Sequence, residues 1–488
     1  MPDFNSFLEW INGNIIWGSP MIILLLGTGL YLGVKTKFFS IRHLGLALKR
    51  TVFSLFSSKN KKAPKGGITQ FQAISTALAA TIGTGNIAGV ASAITLGGAG
   101  AVFWMWISAL LGMTTAYAEN LLGIYYRKKN SKNEFCGGAM YYLTEGLKGK
   151  RFLKHFKKPL AFSFAFFCML ASLGMGNMTQ VNTVSSLLEN GIFGIKIPTA
   201  VTAAVLTVII GLVVFGGIHT ICRITEKLVP ISTLLYILGT LLIIFINLDS
   251  FGDALIAIFK GAFGLKPALG GAAGYGIKKA MEIGMRRGVF SNEAGLGSAV
   301  IVGAASDVTE PAVQGMWGIF TVFFDTIIGC SLTAFALLTS GVYKCPSLEG
   351  ANMVAAAFSS SLGAPAGDLV ALFTLLFALA TVMGWSFYGI KCALYLFGEK
   401  STFIYKLIFV LAVIPGSVLR LDTIWLIADA FNGLMAVPNL IALLCLKDKI
   451  IIITNNYILR TIKGKTYLPP LISAYPDIQN EQEKNVEY

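Results

Sequence analysis

An all-α integral membrane protein with about eleven transmembrane helices is the fold class this sequence predicts. Three observations carry it. Of 488 residues, 55% are hydrophobic and only 13% charged, with a mean hydropathy of +0.70; soluble domains carry about 25% charged residues. The apolar residues gather into runs of the ~20 needed to cross a bilayer as helix. The basic residues behind the net charge of +15 sit in a few short loops between those runs. That pattern fixes orientation in a membrane and removes nucleic acid as the reason for the charge. The seven cysteines (Cys136, Cys168, Cys222, Cys330, Cys345, Cys392, Cys445) are scattered singly. Neither a disulfide framework nor a zinc site has that spacing. Asp3 and Glu9 open the chain without a basic n-region, so no cleavable signal peptide is expected.

The elements follow in order. Residues 4–16 read as a short interfacial segment anchored by Phe4, Phe7, Trp10 and Trp17. The first span runs near 18–36. A loop with Lys35, Lys37, Arg42, Lys49, Arg50, Lys59, Lys61, Lys62 and Lys65 and no acidic residue follows. The positive-inside rule makes it cytoplasmic and places the N-terminus outside. Spans two and three fall at about 68–95 and 100–126. The next loop is again basic, from Arg127, Lys128, Lys129 and Lys132 to Lys148, Lys150, Arg151, Lys154, Lys157 and Lys158. Spans near 159–184, 198–217 and 228–247 lead to an outer loop with Asp249, Asp253, Lys260 and Lys266, suited to a short amphipathic helix. A seventh segment covers about 274–303, and four more spans fall near 312–340, 366–397, 402–419 and 423–446. The short loop with Glu399 and Lys400 lies inside, and a cytoplasmic tail occupies 447–488.

Two of these spans are poor continuous helices. In the second, Ala79-Ala80-Thr81-Ile82-Gly83-Thr84-Gly85-Asn86-Ile87-Ala88-Gly89 places three glycines near mid-bilayer. Each costs roughly 1 kcal/mol against alanine in a helix interior. Either the glycines admit close helix packing, or the helix is broken and its freed backbone faces a polar cavity. The seventh span repeats the feature with Gly288-Val289-Phe290-Ser291-Asn292-Glu293-Ala294-Gly295-Leu296-Gly297-Ser298. Lys278, Glu282 and Arg286 share one face there, in what this topology makes the outer half. They need a wet vestibule, or the orientation of that half is inverted.

Spans two to six (68–247) and seven to eleven (274–446) each hold five crossings and each open with a glycine-interrupted helix. An odd number of crossings turns the second copy upside down. Paired breaks in two such halves point to a secondary transporter's binding site. The remaining segments are 1–67, an N-terminal helix with its basic loop, and the outer loop 248–273. A half-helix starting at mid-membrane offers unbonded N–H groups and about half a positive charge, which suits a carboxylate. Free carbonyls at the end of the preceding half suit a small cation or an ammonium group. Asn86 and the pair Ser291-Asn292 stand where half-helices would restart, as caps or as ligand groups. Glu293 is a functional carboxylate or a complement to a helix N-terminus. Asp325, alone in Phe323-Phe324-Asp325-Thr326-Ile327, is a helix-pairing group or part of an ion path.

These residues carry a family resemblance. The run Phe71-Gln72-Ala73 through Ala77-Leu78-Ala79-Ala80, then Gly83 to Ala91, resembles the sodium:alanine/glycine symporters. So do Gly98 to Trp106 running on to Gly112-Met113-Thr114, and Gly288 to Ser298. The likeness spans about Asn5 to Leu446. One departure is Ala99, where the family usually carries proline, which would loosen the turn before span three. The resemblance implies a leucine-transporter-type fold, a 5+5 inverted repeat with one extra N-terminal helix. It implies a substrate carboxylate at the amides of Thr84, Gly85 and Asn86, and an ammonium at carbonyls near Phe290 with Ser291 and the Asn292 side chain. Gln180 adds a polar contact and Trp385 closes the pocket, unless Trp385 is core packing. Sodium would sit between the Ala79 and Ile82 carbonyls and the Thr381 hydroxyl.

The function read from this is sodium-coupled symport of a small neutral amino acid, alanine or glycine, by alternating access in a cell membrane. Substrate, Na+ and the lipid bilayer are the implied partners, with no nucleic acid and no protein partner. Proton coupling through Glu293 or Asp325 is the alternative, and an amino-acid-gated receptor or channel is a further class. No nucleophile–base or metal constellation points to an enzyme.

Overall fold

The computed structural model of the protein describes residues 4–57, 68–131, 133–150, 153–264, 270–345, 347–419 and 421–483. Asp3, Lys59, Lys61, Lys62, Lys65, Lys132, Arg151 and Lys266 lie outside them. The described chain is helical apart from one two-stranded hairpin, Lys128–Lys129 with Phe135–Cys136, in a basic loop. Among the described residues, seven helices are long and apolar enough to cross a membrane, or up to nine if each bent pair is one span. Among them are Gly100–Tyr125, Lys157–Asn190, Ile218–Ile246 and the 34-residue Ala364–Phe397. This is a multi-pass membrane protein. Thr199–Phe215 is apolar but only 17 residues long, and Gly270–Asn292 carries the Lys278–Arg287 charges. "Inner" below means the end of the bundle bearing the basic loops.

Most span boundaries fall within a few residues of the expected ones. The sixth begins ten residues early, at Ile218. Its first turns carry Arg223, Glu226 and Lys227, which mask the helix on a hydropathy reading. Pro230 lies inside it, where a missing N–H and a ring clash would favour a break. The outer loop holds the helix Phe251–Phe263, and an unforeseen helix, Gly350–Leu362, precedes the span Ala364–Phe397. Before the first span, Phe4–Ile11 continues as a π-turn Asn12–Ile16. That segment docks on the last span: Asn12 Nδ2 donates to the Leu426 carbonyl and Trp17 Nε1 to the Asp429 carbonyl, both at 2.8 Å. Ala99 takes φ −56°, ψ −30° beside Gly98 at φ 71°. Proline would hold the same φ, so the turn keeps its shape and is not loosened.

The core sits between the two interrupted helices and the spans packed on them. Gly284 lies against the Ala101 backbone, where a Cβ would come within 2.3 Å of its carbonyl oxygen. Gly100 and Gly261 touch backbone to backbone in the same manner. Small residues at such crossings let membrane helices approach closely.

Candidate functional site

The second span is broken. Helix Gln70–Thr81 starts in a capping box, with Thr69 and Gln72 each satisfying the other's amide. It ends at Ile82, which is extended (ψ 92°). A π-turn, Gly85–Gly89, and the helix Val90–Gly97 follow, and the two halves bend by 41°. The Thr84 amide donates to Gln180 Oε1 at 3.3 Å, and its hydroxyl reaches the same oxygen at 2.8 Å. The fourth span thus supplies the acceptor that a helical carbonyl would have given. Gln180 in turn donates to the Met175 carbonyl inside a π-turn at Gly174–Met178. Such turns cluster at functional sites.

Asn86 does not cap the restarted helix. Its Oδ1 turns back to accept the Gly83 N–H at 3.1 Å. Its Nδ2 donates to the Asp325 carboxylate at 2.8 Å and to the Asp325 carbonyl at 3.0 Å. It therefore braces the unwound strand against the eighth span, where a π-helical segment Phe323–Cys330 carries Asp325.

The seventh span is also interrupted, later than expected. Ser291 and Asn292 end the helix Gly270–Asn292 instead of starting a new one. Helix resumes only at Val300, for the single turn Val300–Gly303. Between them Glu293 takes φ 58°, Gly295 90° and Gly297 75°. A non-glycine residue in that left-handed region is uncommon. Asn292 Oδ1 accepts the Ala294 N–H at 3.0 Å, which takes that donor away from the Phe290 carbonyl. Asn292 Nδ2 donates to Thr326 Oγ1 at 2.9 Å, and Thr326 donates to Asp325 Oδ2 at 2.8 Å. Glu293 accepts from the Ser298 hydroxyl at 2.5 Å, not from amides of a following helix.

The two breaks meet. A Cβ on Gly85 would touch the Ser291 Cα at 3.3 Å and its Oγ at 3.4 Å. Asp325 links them, bonded to Asn86 on one side and through Thr326 to Asn292 on the other. Thr84, Asn86, Gln180, Ser291, Asn292, Asp325 and Thr381 are all buried. Thr381 donates to the Ala79 carbonyl at 2.8 Å, and Gly83 is so close that a Cβ there would fall 2.3 Å from Thr381 Oγ1.

Three other expected residues stand apart from this cluster by their side chains. Phe290 stacks on Trp425 (4.6 Å between centroids, 29°). Trp385 lies under Gly176, where a Cβ would meet its Cβ at 2.2 Å, and edge-on to Tyr388. Ile82 enters only through its extended backbone. The charges in the outer half of the seventh span find partners: Lys278 pairs with Glu282 at 3.6 Å, and Arg286 with Asp429 of the last span at 2.8 Å. Arg287 lies 3.5 Å from the same carboxylate and over Trp425.

A second buried polar group escapes the sequence reading. Asn439 Nδ2 donates to Glu119 at 2.5 Å and to the Gly295 carbonyl at 2.9 Å, and Tyr142 donates to Asn439 Oδ1. It supports the second break from the third and last spans. Glu119 carries the signal that singles out Asp325, a lone carboxylate inside an apolar span.

The model of the sodium:alanine symporter family matches residues 1–468. The sodium/alanine symporter AgcS of Methanococcus maripaludis is 41% identical over 93% of this chain and 97% of its own length. A Bacillus subtilis relative, the amino-acid carrier protein AlsT, is 32% identical over 98% of this chain and 97% of its own length. Among solved structures, MhsT in complex with L-phenylalanine superposes with a TM-score of 0.51 at 14% identity, covering 81% of this chain and 99% of MhsT. That likeness is one of fold.

Proposed function

The chain belongs to the sodium:alanine symporter family, and on that premise we propose that it takes up small neutral amino acids, alanine and glycine, with sodium across the cell membrane by alternating access. The observation that carries this reading is the close approach of the two interrupted helices at Gly85 and Ser291, each beside its break, sealed from solvent and rich in amide groups. A zwitterion suits such a place. The restarting half at Gly85–Gly89 offers N–H groups and the positive end of a helix dipole to its carboxylate. The Phe290 carbonyl, without its helical donor, and the Asn292 side chain suit its ammonium.

Sodium, as co-substrate, fits the Ala79 carbonyl and the Thr381 hydroxyl, which already lie 2.8 Å apart. Binding requires the Thr381 hydrogen to turn away so that its lone pair faces the ion. The Ile82 carbonyl, set off the helix axis by its extended backbone, completes the set. Such hard oxygen ligands at an unwound helix suit an alkali cation. One cation entering down the potential supplies about 2.3 kcal/mol per 100 mV, or roughly 50-fold accumulation.

The reading takes eleven crossings, with 68–247 and 274–446 as inverted repeats. Cys345, exposed between the eighth and ninth spans, and Cys445, at the inner end of the last, then lie on opposite faces. An impermeant maleimide on intact cells should label Cys345 alone; labelling of Cys445 would overturn this topology.

Labelled alanine uptake into vesicles holding the purified protein tests the coupling. Uptake should require sodium, fail with potassium, and fall when excess glycine competes. One observation favours a second reading: the Asp325 carboxylate is buried and bonded toward both breaks, as a proton carrier would be. Uptake driven by a pH gradient without sodium would replace the first reading by the second.

A further inference from the structure

The last described segment of the chain folds back onto the inner face. The Ala474 N–H donates to the Tyr125 carbonyl at 2.8 Å, at the inner end of the third span. Gln479 stitches the segment to itself, accepting from the Ile472 and Ser473 amides and donating to the Pro470 carbonyl. The helix Pro476–Glu483 follows. Ile472, Ile478 and Gln482 are buried, although nothing apolar enough to enter a membrane is present. All of this lies past residue 468, where the family match stops.

What the segment touches gives it a role. Arg127 is fully buried, and its guanidinium reaches the carbonyls of Ser306 and Val308, each at 2.8 Å, and that of Ala304 at 3.4 Å. Those carbonyls lie immediately beyond the short turn Val300–Gly303, the inner half of the second broken helix. Arg127 also donates to Gln482 Oε1 at 3.1 Å, and its guanidinium lies 3.8 Å from the centre of the Phe135 ring. Burial pushes Arg127 down to about 9, with Asp307 opposing. Lys129, two residues on, pairs with Glu481 at 2.6 Å, and Lys128 sits over the Tyr475 ring. The strand Lys128–Lys129 is in turn paired with Phe135–Cys136. The adjoining glycines press on the same inner half: a Cβ on Gly137 would meet the Ala304 Cβ at 2.4 Å, and one on Gly138 would meet Ile301 at 3.0 Å. A parallel bridge, Ile68 with Ser306, ties this end to the start of the first broken helix.

We propose that residues 469–483 form an autoinhibitory strap, which holds the inner half of the second broken helix closed by engaging Arg127 and Lys129. The proposal rests on the alternating-access reading, in which an inward-open state parts these inner halves. A four-residue helical turn has little stability of its own, so its position depends on what grips the carbonyls after it. Arg127 is that grip, and the strap covers it. Release of the strap lets water reach Arg127, weakens its hold on Ala304, Ser306 and Val308, and shifts the population toward the inward-open state. The strap therefore slows the step that delivers substrate to the inside, without touching the substrate site.

Native Cys136 reports on this movement, since it is buried in a cavity shared with Ile301, Met140, Lys391 and Leu394. The experiment uses the full-length protein in inside-out vesicles with Cys136 as its sole cysteine. It is compared with a chain ending at Leu468 and with the double variant Glu481→Lys, Gln482→Leu. Alkylation of Cys136 by an impermeant maleimide should run about tenfold faster in both altered forms, as loss of one or two buried polar contacts implies. The maximal rate of alanine uptake should rise with KM unchanged. Equal alkylation rates in all three forms, each folded by thermal melting, would overturn the strap. Faster alkylation with no sodium-dependent uptake in any form would leave the strap standing and refute the transport reading instead.

Discussion

The two interrupted helices solve one problem by different means. The first break is short, from Ile82 to Thr84, and side-chain amides satisfy it: Gln180 of the fourth span takes the Thr84 N–H, and the nearby Asn86 takes the Gly83 N–H. Two further helical turns follow, so its inner and outer halves are comparable. The second break is more than twice as long, from Glu293 to Ala299, and is made by backbone conformation, with three residues at positive φ. Beyond it only Val300–Gly303 is helical. Glycine accordingly does different work in each. Gly83 is there for space, against Thr381; Gly295 is there for φ. A break held by side-chain amides keeps a fixed geometry for binding. One held by glycines and finished by a single turn is the part that can move.

Four substitutions probe that contrast. The largest effect is expected from Asn292→Ala, which removes the Thr326 bond and the acceptor of the Ala294 amide together. Alanine binding, followed by calorimetry, should be lost from a protein that still inserts and melts cooperatively; normal uptake would remove the second break from the site. Gly83→Ala comes next. Overpacking of about 1–3 kcal/mol corresponds to roughly 5- to 150-fold, and it should appear in the KM for sodium because Thr381 is displaced. An unchanged sodium KM would detach Thr381 from the ion. Gly295→Ala should behave in the opposite way. Its φ of 90° makes a side chain strained by about 1–3 kcal/mol, so the melting temperature should fall while the sodium KM stays level. Equal losses from both glycine variants in both readouts would erase the distinction drawn here. The smallest effect is expected from Ala99→Pro. The residue already has φ −56°, so stability should rise by about 0.4–1 kcal/mol with uptake unaltered; lower stability would mean that the Ala99 amide is needed.

Much of the site is legible in the chain. Glycine clusters inside apolar runs mark where helix is weak, and Asn86, Asn292 and Asp325 stand out because polar residues in such runs need partners. The location of a break is read less well than its existence. Gly288 draws the second interruption several residues too early, because a single glycine is tolerated inside a helix when a neighbour packs on it. Here the Met105 backbone and Ser108 hydroxyl occupy the space a Cβ would need. The charged face of Lys278, Glu282 and Arg286 poses a question the sequence leaves open, and Asp429 from the last span answers it. Arg127 escapes because its partners are mostly backbone carbonyls, which leave no trace in residue identity, and Asn439 and Glu119 escape because their bond joins residues 320 positions apart.

The chain by itself determines its solvent, its helical content, the approximate bounds of its spans and the two places where helix is weakest. All of these depend on neighbours in sequence, through hydropathy summed over a window and through the local cost of glycine. Only the tertiary structure decides that the two weak places touch, that Asp325 lies between them, and that residues past 468 return to cover Arg127. Those contacts join residues far apart along the chain, and what selects them is the requirement that every polar group buried among apolar helices find a partner wherever the fold supplies one.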